Sequence, residues 1–377
     1  VRQTLDSEPR TVSEPSRLAR IVRHETLQGA LVLAALLCVF FSTPLSRYRD
    51  VYYSSADLTQ DFSLTKIVPG HVSGNKLMSD AVTQMQPWLM FNRAELRAGR
   101  VPLWNPYNGT GCPHLANYQS AVFSPFSLPF YVLSMRAALI ASAFLKLWCL
   151  GFFTFLFLKE IALRQMPALI GATAFMFGGH NVMLLSFPHV GALVALPAGC
   201  FFVERTIRRL EEWQRVGRSR GRARPRMFWP LCGLTAAFVA GLLAGNPEPF
   251  YFAALFVGLF SAVRLCGAWR NLGRDRAAAR EVARLGFALG ASCVLAAGLT
   301  AFQTVPFFEY LRESRVLEER SAIQTPLFPA FWPLMMFPNA LGNPSTAYNL
   351  SYEVPPPNFE LTTSAYAGGL VLLLAIL

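Results

Sequence analysis

Residues 190–266 read VGALVALPAGCFFVERTIRRLEEWQRVGRSRGRARPRMFWPLCGLTAAFVAGLLAGNPEPFYFAALFVGLFSAVRLC. Three apolar runs are separated first by a basic stretch and then by the short turn GNPEP. The basic stretch carries Arg205, Arg208, Arg209, Arg215, Arg218, Arg220, Arg222, Arg224 and Arg226. Apolar runs close to 20 residues long predict membrane-crossing helices, and an arginine-rich loop between two of them predicts the cytoplasmic side. The GNPEP turn then falls on the opposite face.

The same alternation continues in both directions. Spans are expected at about Leu27–Leu45, Ala137–Leu158, Met166–Phe187, Val190–Val203, Phe228–Ala244, Phe250–Cys266 and Leu285–Phe307. An eighth begins in the final run AYAGGLVLLLAIL, which stops partway through a span, so a longer natural chain is expected. Residues 1–26, with Arg2, Arg10, Arg17, Arg20 and Arg23, form a cytoplasmic tail ahead of one transmembrane domain over 27–377. Arg270, Arg274, Arg276, Arg280 and Arg284 mark a second inner loop. The first loop, 46–120, is long enough to escape the charge rule and lies outside, as does 308–364. The apolar piece 121–133, broken by Pro125 and Pro129, reads as re-entrant or interfacial. The fold expected is an all-α polytopic transmembrane bundle with a long extracytoplasmic loop between its first two spans.

Composition agrees. The chain has 377 residues, 53% of them hydrophobic and 15% charged, against about a quarter charged in soluble domains. Its net charge of +12 sits in short loops between apolar runs, which fits membrane topology and gives no footprint for nucleic acid. Six of the seven cysteines fall within or beside apolar runs, leaving Cys112 alone in the first loop. With no CxxC pair or Cys/His ligand spacing, neither a zinc site nor a disulfide framework is indicated.

With that topology no acid lies in the middle of a span, and Lys146 is the only charged residue deep within one. The outward segments gather the polar chemistry. Asp80 heads SDAVTQMQPW, a stretch that suits a short helix at the membrane surface, with Gln84 and Trp88 following. Asp80, the one acid of this segment, is the candidate general base. Trp104 and Tyr107 offer stacking faces in WNPYNGTGCPHLANYQ, with Asn105 and Gln119 as hydrogen-bonding partners. Beyond the seventh expected span, Arg312 and Arg315 suit the recognition of a phosphate through paired N–H donors, with Glu309 a further candidate contact beside them. His189 and Glu248 stand in the two short outer turns. Each of these residues also has a structural reading: Asp80 as a helix N-cap, the aromatics as an interfacial belt, Glu309 to Arg315 as self-paired surface charge, the histidines as packing residues.

At these motifs the sequence resembles the YfhO family of bacterial multi-pass membrane proteins. The resemblance rests on SDAVTQMQPW (79–88), GRVPLWNPYNGTGCPHLANYQSAVFSP (99–125), AGNPEPFY (244–251) and QTVPFFEYLRESR (303–315), then FPNALGN (337–343) and NFELTTSAYAGG (358–369). It implies a GT-C-like fold and an enzyme that moves a sugar from a polyprenyl-phosphate-linked donor to a cell-surface glycan. The setting implied is the bacterial plasma membrane, with the N-terminus cytoplasmic. The resemblance also implies a catalytic acid in the first outer loop, falling on Asp80 or else on Asp57 or Asp61. Glu309, Ser314 and Arg315 correspond loosely to the family's Glu-Ser-x-Arg pattern, and the Glu360 to Tyr366 spacing departs from it. Gram-positive members are linked with teichoic acid, but the arginine-rich composition leaves the acceptor open. No cofactor is expected, since no Gly-rich phosphate loop is present and no DxD-type acid pair near Asp80 supports a divalent metal. A transporter or lipid flippase is the alternative, and it predicts ionisable groups and broken helices at the bilayer midplane.

Overall fold

The computed structural model describes residues 17–50, 53, 80–217, 225–315 and 337. Asp57, Asp61, Glu360, Tyr366, the expected 308–364 loop beyond Arg315 apart from Phe337, and the eighth apolar run lie outside the described residues. What is described is almost entirely helical. The helices are α1 (Arg17–Phe40), α2 (Ser42–Ser46), α3 (Gln86–Arg97), α4 (Leu128–Val132), α5 (Met135–Glu160), α6 (Gln165–Met176), α7 (Gly179–Met183) and α8 (His189–Leu193). They continue as α9 (Ala195–Glu212), α10 (Phe228–Leu242), α11 (Pro247–Asn271), α12 (Arg276–Leu299) and α13 (Ala301–Glu313). The one sheet among the described residues is a two-residue pairing of β1 (Trp104–Asn105) with β2 (Cys112–Pro113).

Four segments are long and apolar enough to cross a membrane: Met135–Glu160, His189–Arg215, Pro247–Asn271 and Arg276–Leu299; His24–Phe40 and Phe228–Leu242 are shorter apolar helices. Their surroundings fit that role. On α11 and α12, Leu255, Leu259, Val263, Phe287, Val294 and Leu295 are exposed without covering protein, a continuous apolar face that water would penalise and lipid would not. The helix α5 lies at the centre, against α1, α4, α6 and α9. Its buried Leu147, Leu150 and Phe155 join Leu33, Leu37 and Met176 in the larger core. A second core forms where α9 meets α10 and α11 and these meet α12, around Val203, Ile207, Leu234 and Val257. Lipid tails are as apolar as these side chains, so close packing must hold the helices together. Small residues allow it: Gly199 sits under Val257 and Phe238, and Gly233 under Phe202.

Three features differ from the expected spans. The third, expected over Met166–Phe187, ends as a helix at Met176. Twelve residues rise only about 18 Å, too short for a hydrocarbon core of about 30 Å. The reason is local. Gly178 and Gly179 favour a break, and Asn181 Nδ2 donates to the Phe175 carbonyl at 2.6 Å, satisfying a group the ended helix leaves open. The seventh span, expected over Leu285–Phe307, runs instead from Arg276 to Leu299. Asp275 caps its start by accepting from Ala278 N at 2.6 Å, and α13 departs after Thr300.

The third difference concerns charge. The fourth span continues as helix to Glu212, so Glu204 and Glu211 belong to α9 rather than to a loop. Glu204 is 2% exposed, which corrects the expectation that no acid lies within a span. It accepts from Arg264 Nε on α11 at 2.5 Å, from Arg264 Nη2 at 2.9 Å and from Arg208 Nε at 3.1 Å. Lys146 is therefore not the only charge inside the bundle. The sequence hid this pair because its partners lie 60 residues apart and meet only when α9 packs on α11. Near the same end, Lys159 pairs with Glu25 at 2.9 Å and Arg205 with Glu160 at 3.1 Å.

Glu204→Ala is expected to destabilise the protein by less than the about 3–5 kcal/mol of a fully buried pair, because Arg264 is partly exposed and keeps Glu211 at 3.6 Å. Adding Arg264→Leu is expected to recover much of the loss, since an apolar pair removes both charges together. Melting temperatures of the detergent-solubilised single and double variants check both statements.

Candidate functional site

The segment from Asp80 begins as expected with a helix. A wide first turn over Ala81–Met85 runs directly into α3, whose second residue is Pro87. Ala81, Met85, Trp88 and Asn92 fall on the buried face at helical spacing. The first three pack on Leu184 and Phe187. Trp88 is thus a packing residue of this helix, 8% exposed. Asp80 does not cap the helix with its side chain. Its Oδ1 instead accepts from Gln84 Nε2 at 2.9 Å, one turn on, which leaves lone pairs of the partly exposed carboxylate for another donor.

The fourth residue of that face, Asn92, ties the helix to the following loop. Its Nδ2 donates to Ser120 O at 2.6 Å, and its Oδ1 accepts from His114 Nε2 at 2.7 Å. His114 is fully buried and meets the Phe91 ring edge-on at 4.8 Å. With Nε2 carrying the proton, Nδ1 faces no partner among the described residues. Burial pushes the imidazole pKa down to about 4, so the ring is neutral at ordinary pH. Residue 92 is a polar position on an otherwise apolar stripe, and that was the signal available in the sequence for this buried tie.

Between α3 and this tie lies the β1–β2 hairpin. Trp104 pairs with Pro113 and Asn105 with Cys112. Gly111 sits at φ +102°, and a Cβ there would meet Trp104 Nε1 at 2.6 Å. The indole therefore lies against glycine, yet Trp104 remains 55% exposed and Tyr107 is 84% exposed. Asn105 is buried and its Oδ1 accepts from Tyr107 N at 2.9 Å, which fixes the turn rather than presenting an amide to a ligand.

Beyond the hairpin the loop meets both short turns. Gly245 shows the convergence: at φ +100° it approaches so closely that a Cβ would stand 2.7 Å from Ala121 Cβ and 3.2 Å from both Pro188 Cβ and Tyr118 O. In the Gly245 turn, Asn246 Oδ1 accepts from Glu248 N at 3.1 Å, and its Nδ2 stands 2.9 Å from His189 Nε2. The donor amide makes Nε2 an acceptor, so His189 carries its proton on Nδ1, a buried atom with no partner among the described residues. Glu248 itself is exposed.

These segments enclose a partly open cavity of about 50 Å³, lined among others by Ala81, Gln86, Gln119, Lys146, Ser186 and Ala244. Lys146 projects from the middle of α5 and donates to Leu185 O at 3.1 Å and Phe187 O at 2.9 Å. Of the sequence candidates, Gln119 lines this space, and Asp80 stands one residue before Ala81. The expected outer cluster divides at α13. Phe302 and Phe307 carry that helix across Phe123 and Tyr118, with ring centroids 5.2 and 4.7 Å apart. Glu309 and Arg312 line a separate surface groove with Val305 and Phe308, and Arg315 is exposed beyond them. Sequence reasoning missed Gln303, fully buried with both amide atoms unpartnered among the described residues. Among those residues no group of three His, Cys, Asp or Glu side chains is placed to hold a metal ion.

Comparison of the chain with family models, curated proteins and solved structures finds no match.

The buried tie has a defined pH dependence. An imidazole whose folded pKa is depressed contributes stability fully above its unfolded value and loses it as pH falls. Protection of the 104–120 loop from hydrogen exchange is therefore expected to decline between pH about 6.5 and about 4. Asn92→Ala is expected to abolish that protection at neutral pH, with faster proteolysis of the hairpin as a second readout.

Proposed function

We propose that the chain is a membrane glycosyltransferase of GT-C type, moving a sugar from a polyprenyl-phosphate-linked donor to a cell-surface glycan outside the bacterial plasma membrane. The observation that carries this reading is the convergence around Lys146. The helix headed by Asp80, the Gln119 loop and the turns at Ser186–Pro188 and Ala244 wall one cavity at the end of the bundle opposite the arginine-rich loops. A lipid-linked donor needs such an arrangement, in which polar groups reach bilayer depth while the acceptor stays in water.

In this reading Asp80, positioned by Gln84, takes the proton from the acceptor hydroxyl. That oxygen bonds to the anomeric carbon as the bond to the donor phosphate oxygen breaks, and the bonding pair leaves on the phosphate. Exposed Trp104 and Tyr107 offer apolar faces to acceptor sugar rings, and Gln119 offers a hydrogen-bonding amide. Arg312, in the exposed groove beside Glu309, and Arg315 beyond it suit an approaching anionic headgroup rather than the chemical step.

One observation favours a second reading, a transporter or lipid flippase. The break between Met176 and His189 places irregular backbone beside an ionisable residue within the bundle, an arrangement transporters use at their binding sites.

Asp80→Asn in the full-length protein is expected to stop sugar addition to the surface glycan, with membrane insertion unchanged. Glycan composition of the complemented deletion strain measures it, and a normal glycan would remove Asp80 from the mechanism. Movement of a labelled lipid across proteoliposomes without any sugar transfer would favour the second reading.

A further inference from the structure

Lys146 is eleven residues into a 26-residue helix, which places its Cα roughly 16 Å below the helix start at 1.5 Å per residue. Its side chain cannot reach the surface from there and is almost wholly buried. An ammonium has three donors, and two are taken by the Leu185 and Phe187 carbonyls. Among the described residues no carboxylate pairs with it, and the titratable groups coupled to its neighbourhood, His189 and His180, are bases. Two carbonyl dipoles do not neutralise a full positive charge, and such charges inside a bundle are retained with a partner or in a functional cavity.

The remaining N–H has a cavity before it. Gln119 and Ser186 line the same space, and neither side chain has a protein partner among the described residues. Ser124 Oγ accepts from Phe126 N at 3.2 Å and keeps its own proton to donate. Donors from α5, the Gln119 loop and the Ser186 turn therefore converge on one volume around a positive charge. At about 50 Å³ it holds about three or four waters, which suits a phosphoryl head and excludes a sugar ring from the same space. The lining is mixed, with polar Gln86, Ser127 and Ser142 beside apolar Phe126, Phe130 and Leu139, and the apolar members suit the first carbons of a hydrocarbon tail.

We propose that Lys146, with Gln119 and Ser186, forms a phosphoryl-binding subsite inside the bundle, distinct from the exposed Arg312 groove. The subsite deepens the sugar-transfer reading and rests on it for its role: there, the ammonium would stabilise the phosphate that leaves the anomeric carbon. Tetrahedral oxyanions are matched by several donors arriving from different directions, which a single ion pair with a carboxylate would not need.

The test is binding to the full-length protein in nanodiscs, with undecaprenyl phosphate, undecaprenol and inorganic phosphate as probes. Undecaprenyl phosphate is expected to bind and undecaprenol is not. Lys146→Met is expected to weaken lipid-phosphate binding at least tenfold, and Gln119→Ala or Ser186→Ala severalfold. Displacement by inorganic phosphate would support recognition of the phosphoryl group alone; binding of the lipid phosphate without such displacement would support recognition of head and tail together. Equal binding of undecaprenol, or unchanged affinity in Lys146→Met, overturns the subsite and leaves Lys146 as a pin for the 185–187 turn. If Lys146→Met does not fold, unchanged affinity in both Gln119→Ala and Ser186→Ala overturns it instead. Lysine-dependent binding with no sugar transfer by the unaltered protein would sink the transferase reading and keep the subsite; transfer with lysine-independent binding would do the reverse.

Discussion

A peptide carbonyl inside a helical bundle has few partners, and Leu185 and Phe187 each present one there. The Lys146 ammonium takes both, at 3.1 and 2.9 Å. Without a donor at that depth, the chain between α6 and α8 would have to remain helical or leave the bundle, since each unsatisfied polar group in an apolar medium costs several kcal/mol. The lysine therefore permits the break, and the break makes the space. A continuous third span would fill the volume that the 184–188 turn leaves beside α5.

The outer segments depend on that turn in sequence. Leu184 and Phe187 supply the surface on which Ala81, Met85 and Trp88 pack, so the Asp80 helix is seated on the broken span. Asn92 and His114 then hold the loop against the same helix, and Ala121 and Pro188 close on Gly245. Each contact joins residues distant in the chain, and each has a local reason: a glycine with positive φ, an asparagine with both amide ends used, a polar position on an apolar stripe. The opposite half of the bundle is anchored separately by Glu204 and Arg264, where a bidentate pair replaces the hydrophobic force that lipid cannot provide between helices.

Much of the architecture was legible from periodicity and charge. Apolar runs located α5, α10 and α11 to within a few residues, because a span's length is set by bilayer thickness and by nothing tertiary. Boundaries failed where a break or a buried charge intervened. Phe177–Pro188 is nearly as apolar as a span, so composition reads through the interruption; only the pairing of Leu185 O and Phe187 O with Lys146, and of Asn181 with Phe175 O in α6, shows where helix stops. Glu204 looked like the start of a loop because its neighbours are arginines, while its partner Arg264 stands 60 residues on. Of the candidate site, Asp80 and Gln119 were visible as polar residues in an outer loop, and the division of Trp88 from Trp104 was not. Both are tryptophans with leucine and proline close by in sequence, and one is core while the other is exposed because α3 turns one face inward.

From the sequence alone came the helical class, the alternation of basic and polar loops and the segment in which polar chemistry is concentrated. These follow from short-range rules: apolar length, the placement of arginine and the punctuation by proline and glycine. Tertiary structure alone decided that Lys146 faces a cavity, that Gln119 and Ser186 share it, and that Arg312 belongs to a different surface. Those relations depend on which faces of α3, α5 and α13 meet. Facing is a property of packing that no window of sequence contains.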